Sequence, residues 1–576
     1  MINRTMKQAL VCSAFTLPTS GLLGATVPTT ESNPWWHDAV FYEIFVRSFA
    51  DSREGPLAND GIGDIRGMID NLDYLNDGDP ETTADLGIDA VWLMPIAESP
   101  SYHGYDVVDY KQVDQEYGTN ADFRAFTDAA HERGIRVIVD LVLNHSADEH
   151  PWFVEAASSR DSPKRDWFIW SDTHPGYPGP WNQNVWHNHV RDQSGQLYYG
   201  CFYHGMPDLN VRNAELTAEL YEIARFWIED MGVDGFRLDA IKHLIENGAE
   251  QENTQDSIDW LEGFNAYCKS LNPDFFTVGE VWSTTDQVAR YIPGAVDTAF
   301  EFDLAQAIID GLNSGDAARI VDRIRVVDEA YDTPVATFLT NHDQSRLMTQ
   351  LGGDVEKAEA AAAILLTLPG VPFIYYGEEI GHTGGKPDPN IRTPMQWDAS
   401  GKMFSAAEPW RPTQPDAVQI NVESQRQSTT SLLAVYRNLI ALRQTHEPLQ
   451  TGAIEAVPTS NQSVLAFERS TASKSMLVVV NTSSQQEVTV VTTNLPYARA
   501  VFRNGSFVWE SPLLWSGGIT RRDRISMHYE HAVPLEPFEY AVFLLDDQRE
   551  AVFTPIDPQP THSQRRTIFD HWLRRD

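Results

Sequence analysis

Between residues 40 and 377, short runs of β-branched and aromatic residues alternate with longer stretches in which apolar positions recur at spacings of three and four. The short runs read as buried strands and the longer stretches as amphipathic helices. Strands are predicted over 40–49, 90–96, 136–144, 235–240, 275–281, 298–302, 335–342 and 372–377, with helices such as 120–132, 214–231 and 354–366 between them. Eight such strands interleaved with helices predict an α/β chain built on a closed parallel (β/α)8 TIM barrel, not an open sheet.

The rhythm breaks after the third strand. Residues 146–213 are rich in Trp, Pro, Gly, His and Asn, show no convincing helix, and are too long for a plain connection. They read as a small inserted domain. Beyond an amphipathic helix over 432–444, alternating segments at 463–468, 475–481, 487–491, 498–502 and 540–545 predict a C-terminal antiparallel β-sandwich. The chain thus divides into a barrel (35–145 and 214–455), an insert (146–213), a sandwich (456–550) and a polar, basic, mobile tail (551–576).

Composition narrows the function. With 576 residues, 42% apolar and 11% aromatic, the chain can bury a large core, which excludes a disordered or fibrous protein. Beyond the N-terminus no apolar run is long enough to span a bilayer, which argues against an integral membrane protein. The 82 acidic and 43 basic residues leave a formal charge of −39, which argues against nucleic acid as a partner, because phosphate binding needs a basic face. Only nine of the basic residues are Lys. An acidic, Lys-poor surface repels itself at low ionic strength, so it fits either a salty habitat or an ordinary acidic secreted enzyme.

Residues 1–25 read as an export signal: Arg4 and Lys7, then two apolar blocks, then a polar Thr/Pro/Ser stretch. A disordered cytoplasmic leader is the other reading; the export signal places the mature protein outside the cell or in a periplasm. Cys12 lies in that segment. Cys201 and Cys268 remain, as one bridge or as two buried thiols.

Barrel enzymes carry their chemistry at the C-terminal ends of the strands. Here those ends read DLVLNH (140–145), GFRLDAIKH (235–243), VGEVW (278–282) and FLTNHD (338–343). Arg237 and Asp239, two apart on a strand, face the same way into the barrel mouth. A guanidinium beside a carboxylate favours its ionised form. Asp239, Glu280 and Asp343 therefore converge from three strands, and glycoside hydrolysis needs two carboxyls, one to attack or activate water and one to protonate the leaving oxygen. His145 and His342 beside them are candidates for binding sugar hydroxyls.

These blocks resemble the signature regions of the α-amylase family, glycoside hydrolase family 13. SYHGYDVVDY (101–110), MPDLN (206–210), RTPMQWD (392–398) and DGIGD (60–64) agree, and the resemblance covers about 35–550. It implies that Asp239 is the nucleophile, Glu280 the general acid/base and Asp343 the third acid. The outcome would be retention through a covalent glucosyl intermediate, with the two carboxyls about 5–5.5 Å apart. It further implies that Arg237 orients Asp239 and keeps it charged, that Tyr105 stacks on the sugar, and that His103, His145 and His342 donate to hydroxyls.

The same resemblance implies one or two Ca²⁺ ions. One would be held by Asp51, Asp60, Asp64 and the carbonyl of Ile62; the other, between barrel and insert, by Asn144, Asp208 and the carbonyl of His243. The first loop is longer than the family pattern, because residues 52–58 intervene. Ala240 after the nucleophile and the Lys242–His243 pair resemble α-amylases acting inside α-1,4-linked starch and maltodextrin chains. Asp106 with Arg392 resembles the charged pair that closes the non-reducing end in exo-acting α-glucosidases, oligo-1,6-glucosidases and transglycosylases, and MPDLN looks intermediate. A non-catalytic carbohydrate-binding protein on this fold is disfavoured because all three acids are present. A monomer is expected.

Overall fold

The computed structural model describes residues 33–546, apart from 80–81, 189–194, 496, 509–513, 516–518 and 523–526. The export-signal and tail readings lie outside the described residues. Eight short strands form the central sheet: β1 Phe41–Ile44, β2 Ala90–Leu93, β3 Arg136–Leu141, β4 Gly235–Leu238, β5 Phe276–Gly279, β6 Thr298–Ala299, β7 Ala336–Phe338 and β8 Val371–Tyr375. All their pairings are parallel, in the order β6-β5-β4-β3-β2-β1-β8-β7. The ring closes between β6 and β7 through one isolated parallel bridge, Phe300 to Ala336.

The strands are buried on both faces, as parallel barrels require. Phe41, Trp92, Ile138, Phe276, Phe300, Phe338 and Phe373 fill the interior. The alternate residues, among them Tyr42, Val91, Val139, Phe236 and Leu238, pack against the outer helices. Those helices start where the sequence provides caps. Thr119 and Asp122 form a reciprocal capping box at Asn120–Glu132, Asn213 caps Ala214–Arg225, and Asp354 caps Val355–Thr367.

Several strands are shorter than their apolar text predicts. The first stops at Ile44 and turns into the helix Val46–Phe49, and the sixth stops at Ala299, with a helix beginning at Phe302. Beyond these points the backbone leaves the ladder to form the mouth of the barrel. The predicted helix over 214–231 ends its regular turns at Arg225 and continues as a wider turn over Phe226–Asp230.

The insert does contain a helix, Pro151–Ser158, contrary to the sequence reading. Proline at its first position and an aromatic-rich face obscured it. His150 caps it by accepting the Trp152 N–H on Nδ1 at 3.0 Å. A small antiparallel sheet, Trp170–Ser171, Leu197–Tyr199 and Trp186–His187, completes the insert. Cys201 and Cys268 are both buried free thiols.

The C-terminal sheet runs Ala453–Ala456, Val464–Ser470, Ser475–Asn481, Tyr540–Asp546, Tyr497–Arg503, all antiparallel. A second sheet, with Glu487–Thr493 beside Met527–Leu535, shares a core with it through Val491, Val533, Leu477 and Phe543. Met476, Val478 and Val480 face the other way and join the barrel core. Arg469 reinforces that junction from the sheet side, beside Arg443 of the barrel. Arg443 donates to the carbonyls of Leu366, Leu368 and Gly370, and Arg469 to those of Thr367 and Gly452. Both guanidiniums thus lie at the C-terminal, electronegative end of Val355–Thr367.

Candidate active site

Strand alternation delivers the chemistry. Inward positions low in the barrel are apolar, and two residues later on the same strands stand Glu43 above Phe41 and Asp140 above Ile138. Arg237 follows Gly235 inward on β4, and Asp239 follows Arg237. Glu280 emerges just past β5, and His342 with Asp343 past β7.

Arg237 is the hub, with its side chain 1% exposed. Its Nη1 donates to Asp239 Oδ1 at 2.7 Å and to both oxygens of Asp140 at 2.9 Å, while Nη2 donates to Glu280 Oε2 at 2.7 Å. One guanidinium therefore faces three carboxyls. Burial raises the proton affinity of Asp239 and Glu280 above the ordinary carboxyl range, against the pull of Arg237. Burial lifts Asp140 to about 7. The expectation that Arg237 keeps Asp239 charged is thus opposed, because burial first, and then the neighbouring acids, favour a retained proton in this cluster. Glu280 Oε2 also accepts the Ala240 N–H at 3.0 Å, and Ala240 adopts a left-handed backbone with φ +49° to present it.

A second cluster surrounds Asp343. Arg392 Nη2 donates to Asp343 Oδ1 at 2.8 Å, and His342 Nε2 lies 3.3 Å from Oδ2. Burial opposes the Asp343 anion, but His342 and Arg392 outweigh it and hold the carboxyl well below its usual range. His342 is itself held between Asp343 and Glu43. Burial disfavours its charge, yet these two acids lift the imidazole to about 9. Tyr105 lies flat against the His342 ring, with 5.6 Å between centroids and 17° between planes, and its hydroxyl reaches His342 Nε2 at 2.6 Å and Asp140 Oδ2 at 3.1 Å.

These groups open into a cleft of about 710 Å³ lined by His103, Tyr105, His145, Asp239, Glu280, Asp343 and Arg392. Lys242, His243, Trp181, Phe202 and Trp282 line the same cleft. Trp282 is 47% exposed and stacks on Phe302 at 4.6 Å, so its outer face is open; Trp181 is 56% exposed. Lys242 Nζ donates to the Trp282 carbonyl at 2.9 Å and pairs with Glu252 at 3.0 Å. Burial lowers the imidazoles of His145 and His243 to about 4 and keeps them neutral.

Asp106 and Arg392 do not form the expected pair. Asp106 is buried and accepts from Ser99 at 2.8 Å and from Ser101, with His103 Nδ1 at 3.8 Å. Arg392 turns instead to Asp343, to the His342 carbonyl and to Asp388 at 3.5 Å, and lies over the Tyr102 ring. The sequence reading passed over Asp140, Glu43, Asp388, Trp181 and Trp282. Glu43 was visible as a lone charge in the apolar run VFYEIFV, and Asp140 as the residue that opens DLVLNH.

The two metal readings separate. In the acidic loop, Asp51 accepts the N–H groups of Asn59 and Gly61, Asp60 that of Ile62, and Asp64 those of Ser52 and Gly67. Gly61, at φ +94°, presses so close to Glu408 that a β-carbon would lie 2.1 Å from its carbonyl oxygen. The loop acids accept these turn and cap N–H groups; among the described residues no three acidic, His or Cys side chains gather as a metal site, at this loop or between barrel and insert. Between barrel and insert, Asn144 Nδ2 donates to Asp208 Oδ2 at 3.1 Å, while Asn144 Oδ1 is buried without a partner among the described residues. Asp208 is buried, has no Lys or Arg partner among the described residues, and is pushed well above the carboxyl range by burial. A buried amide oxygen and a buried carboxylate lacking a counter-ion suit a hard, oxygen-seeking cation.

A (β/α)8 barrel with carboxyls from β4 and β5 on one guanidinium, and a third past β7, defines a glycoside-hydrolase type of site. The family model for the α-amylase catalytic domain matches residues 43–452. Alpha-amylase 3 of Dictyoglomus thermophilum is 40% identical over 457 residues, covering 78% of this chain and 86% of its own. An oligo-1,6-glucosidase of Parageobacillus thermoglucosidasius is 31% identical over 530 residues, covering 79% and 91%. The crystal structure of an α-amylase from H. orenii superposes with a TM-score of 0.76 at 37% identity, over 88% of this chain and 99% of that one. The chain belongs to the α-amylase family of glycoside hydrolases.

Proposed function

We propose that the protein is a retaining, endo-acting hydrolase of α-1,4-glucosidic bonds in starch, maltodextrins and related α-glucans. Asp239 attacks the anomeric carbon while Glu280 gives its proton to the departing oxygen; water, deprotonated by Glu280, then releases the sugar from Asp239. Both carboxyls sit on one guanidinium, which supports the close spacing this route needs. Arg237 keeps the attacking oxygen in place. Asp343, His103 and His145, which line the cleft, would hold the hydroxyls of the ring being cleaved, whereas His342 is fully buried behind them with both ring nitrogens engaged.

The observation that carries endo action is that Asp106 and Arg392 each bond other partners and form no ion pair with each other. With Asp106 tied to serines and Arg392 to Asp343, the charge pair that would seal the non-reducing end is not formed. On the leaving side, Trp181, Trp282 and Lys242 extend the cleft for further glucose units. A malto-oligosaccharide blocked at its non-reducing end should be cut, and the iodine colour of starch should vanish before much reducing sugar appears. Asp388 beside Arg392 favours the exo reading; glucose as the dominant early product, with the blocked substrate inert, would establish that reading instead.

The donor set at Asn144 and Asp208, with the carbonyl of His243, is proposed to hold Ca²⁺, which when bound would brace the insert against the barrel. Chelation should then lower the melting temperature, and metal analysis should find calcium. The N-terminal pattern supports export, so a secreted or periplasmic enzyme is proposed.

A further inference from the structure

Glu43 lies on β1, is 2% exposed and does not line the cleft, yet its Oε1 sits 2.5 Å from His342 Nδ1. A carboxylate can only accept, so Nδ1 carries a hydrogen. On the opposite edge of the ring, Nε2 lies 2.6 Å from the Tyr105 hydroxyl, whose own hydrogen is directed to Asp140 Oδ2. Nε2 also faces Asp343 Oδ2 at 3.3 Å, a carboxylate that Arg392 helps to hold ionised, so Nε2 carries a hydrogen as well and the tyrosine oxygen can accept from it. Both ring nitrogens are therefore donors.

We propose that Glu43 is a positioning residue: by accepting from Nδ1 it keeps His342 an imidazolium, whose Nε2–H orders Tyr105 and Asp343 for catalysis. No other carboxyl reaches Nδ1, and Glu43 itself has no Lys or Arg partner among the described residues. The surroundings of the ring agree. Asp343 faces it from its own loop, Tyr105 from the loop after β2, and Asp140 and Asp239 from β3 and β4. Arg237 on β4 and Arg392, which bonds the His342 carbonyl, supply the opposing positive charge, and Tyr375 of β8 pairs in register with Glu43. Trp92 closes the remaining side edge-on at 5.6 Å. The negative neighbours at both nitrogens lift the imidazole to about 9, above the range in which most hydrolases work.

Removing the Glu43 charge should return the His342 proton to the neutral range. A neutral ring has one N–H for two acceptors, so either residue 43 or Tyr105 loses its donor. The proposal rests on the reading of Asp239, Glu280 and Asp343 as the catalytic carboxyls, so Asp239→Asn is run in parallel.

The test is kcat/KM against pH for Glu43→Gln, which keeps the volume and an acceptor oxygen. At about pH 5 the variant should lie within about threefold of wild type, and by about pH 8 it should fall at least about tenfold below, along a new one-proton limb. A purely structural role would lower activity by one factor at every pH, and that result overturns the proposal, as does a profile of wild-type shape. Should Glu43→Gln fail to fold, Glu43→Asp retains the charge at shorter reach and must show the alkaline limb displaced toward acid; an unmoved limb overturns the proposal. An active Asp239→Asn would instead remove the underlying assignment, whereas a dead Asp239→Asn with an unaltered Glu43→Gln profile refutes the role of Glu43 alone.

Discussion

Asp239 and Glu280 share one guanidinium: Arg237 reaches the first through Nη1 and the second through Nη2, each at 2.7 Å. The bonds fix the spacing of the two carboxyls more firmly than either strand would. They also place three acids against a single positive charge once Asp140 is included. In the proposed mechanism the resulting demand for a proton is met at Glu280, which has to give one to the leaving group.

Replacing Asp239 by Asn keeps the shape and the bond to Arg237 but removes the attacking charge. Turnover should fall by about 10³-fold or more, as for other residues acting as a unit, with the melting temperature little changed. Steady-state kinetics on soluble starch beside a thermal melt check this. Near-normal turnover would exclude Asp239 as nucleophile.

His150 offers a pH test away from the chemistry. Burial, with Lys164 nearby, lowers its imidazole from 6.5 to about 3, and Nδ1 must stay unprotonated to accept the Trp152 N–H. A base with a depressed folded value contributes stability that is present above its unfolded value and lost as pH falls from 6.5 toward about 3. His150→Asn retains a cap acceptor without titrating, so its unfolding free energy should fall less steeply over that window, by about 1–3 kcal/mol. Parallel slopes in urea titrations across the window would count against the cap.

Arg469 is fully buried and spends its donors on the carbonyls of Gly452 and Thr367. Arg469→Met should fill similar space but forfeit those bonds, lowering stability by about 2–4 kcal/mol while leaving kcat at moderate temperature intact. Differential scanning calorimetry would show the loss. An unshifted transition would mean that the carbonyls find other partners.

The formal charge of −39 bears on solvent. Raising ionic strength from about 0.01 M to about 1 M shortens the screening length from about 30 Å to about 3 Å, which should relieve self-repulsion and raise the melting temperature. Equal or lower stability in molar NaCl would refute adaptation to salt and leave the enzymatic reading untouched.

The barrel was legible in the sequence because a parallel strand buried on both faces leaves an uninterrupted apolar run, as in AVWLM. Its strand ends were less so, because hydrophobicity continues past the last ladder bond into the mouth, as at Phe45 and Phe49. Asp239, Glu280 and Asp343 stood out because each is a carboxyl at the C-terminal end of an apolar strand. The partners of Arg392 and Asp106 did not, since pairing across loops depends on a backbone path that no local pattern encodes. Glu43 was overlooked for a related reason: its partner lies 299 residues away in the chain, and a single charge in a strand carries no sign of what it faces.

The lone bridge from Phe300 to Ala336 makes the β6–β7 junction the seam of the barrel. Every other neighbouring pair of strands shares two or more paired positions, so the ring has one weak stave. Asp239 and Glu280 stand on one side of it, and His342 with Asp343 on the other. The three carboxyls of the site are therefore assembled across the least-bonded joint of the ring, where Glu301 N–H and Thr298 Oγ1 add bonds to the Ala336 and Pro334 carbonyls.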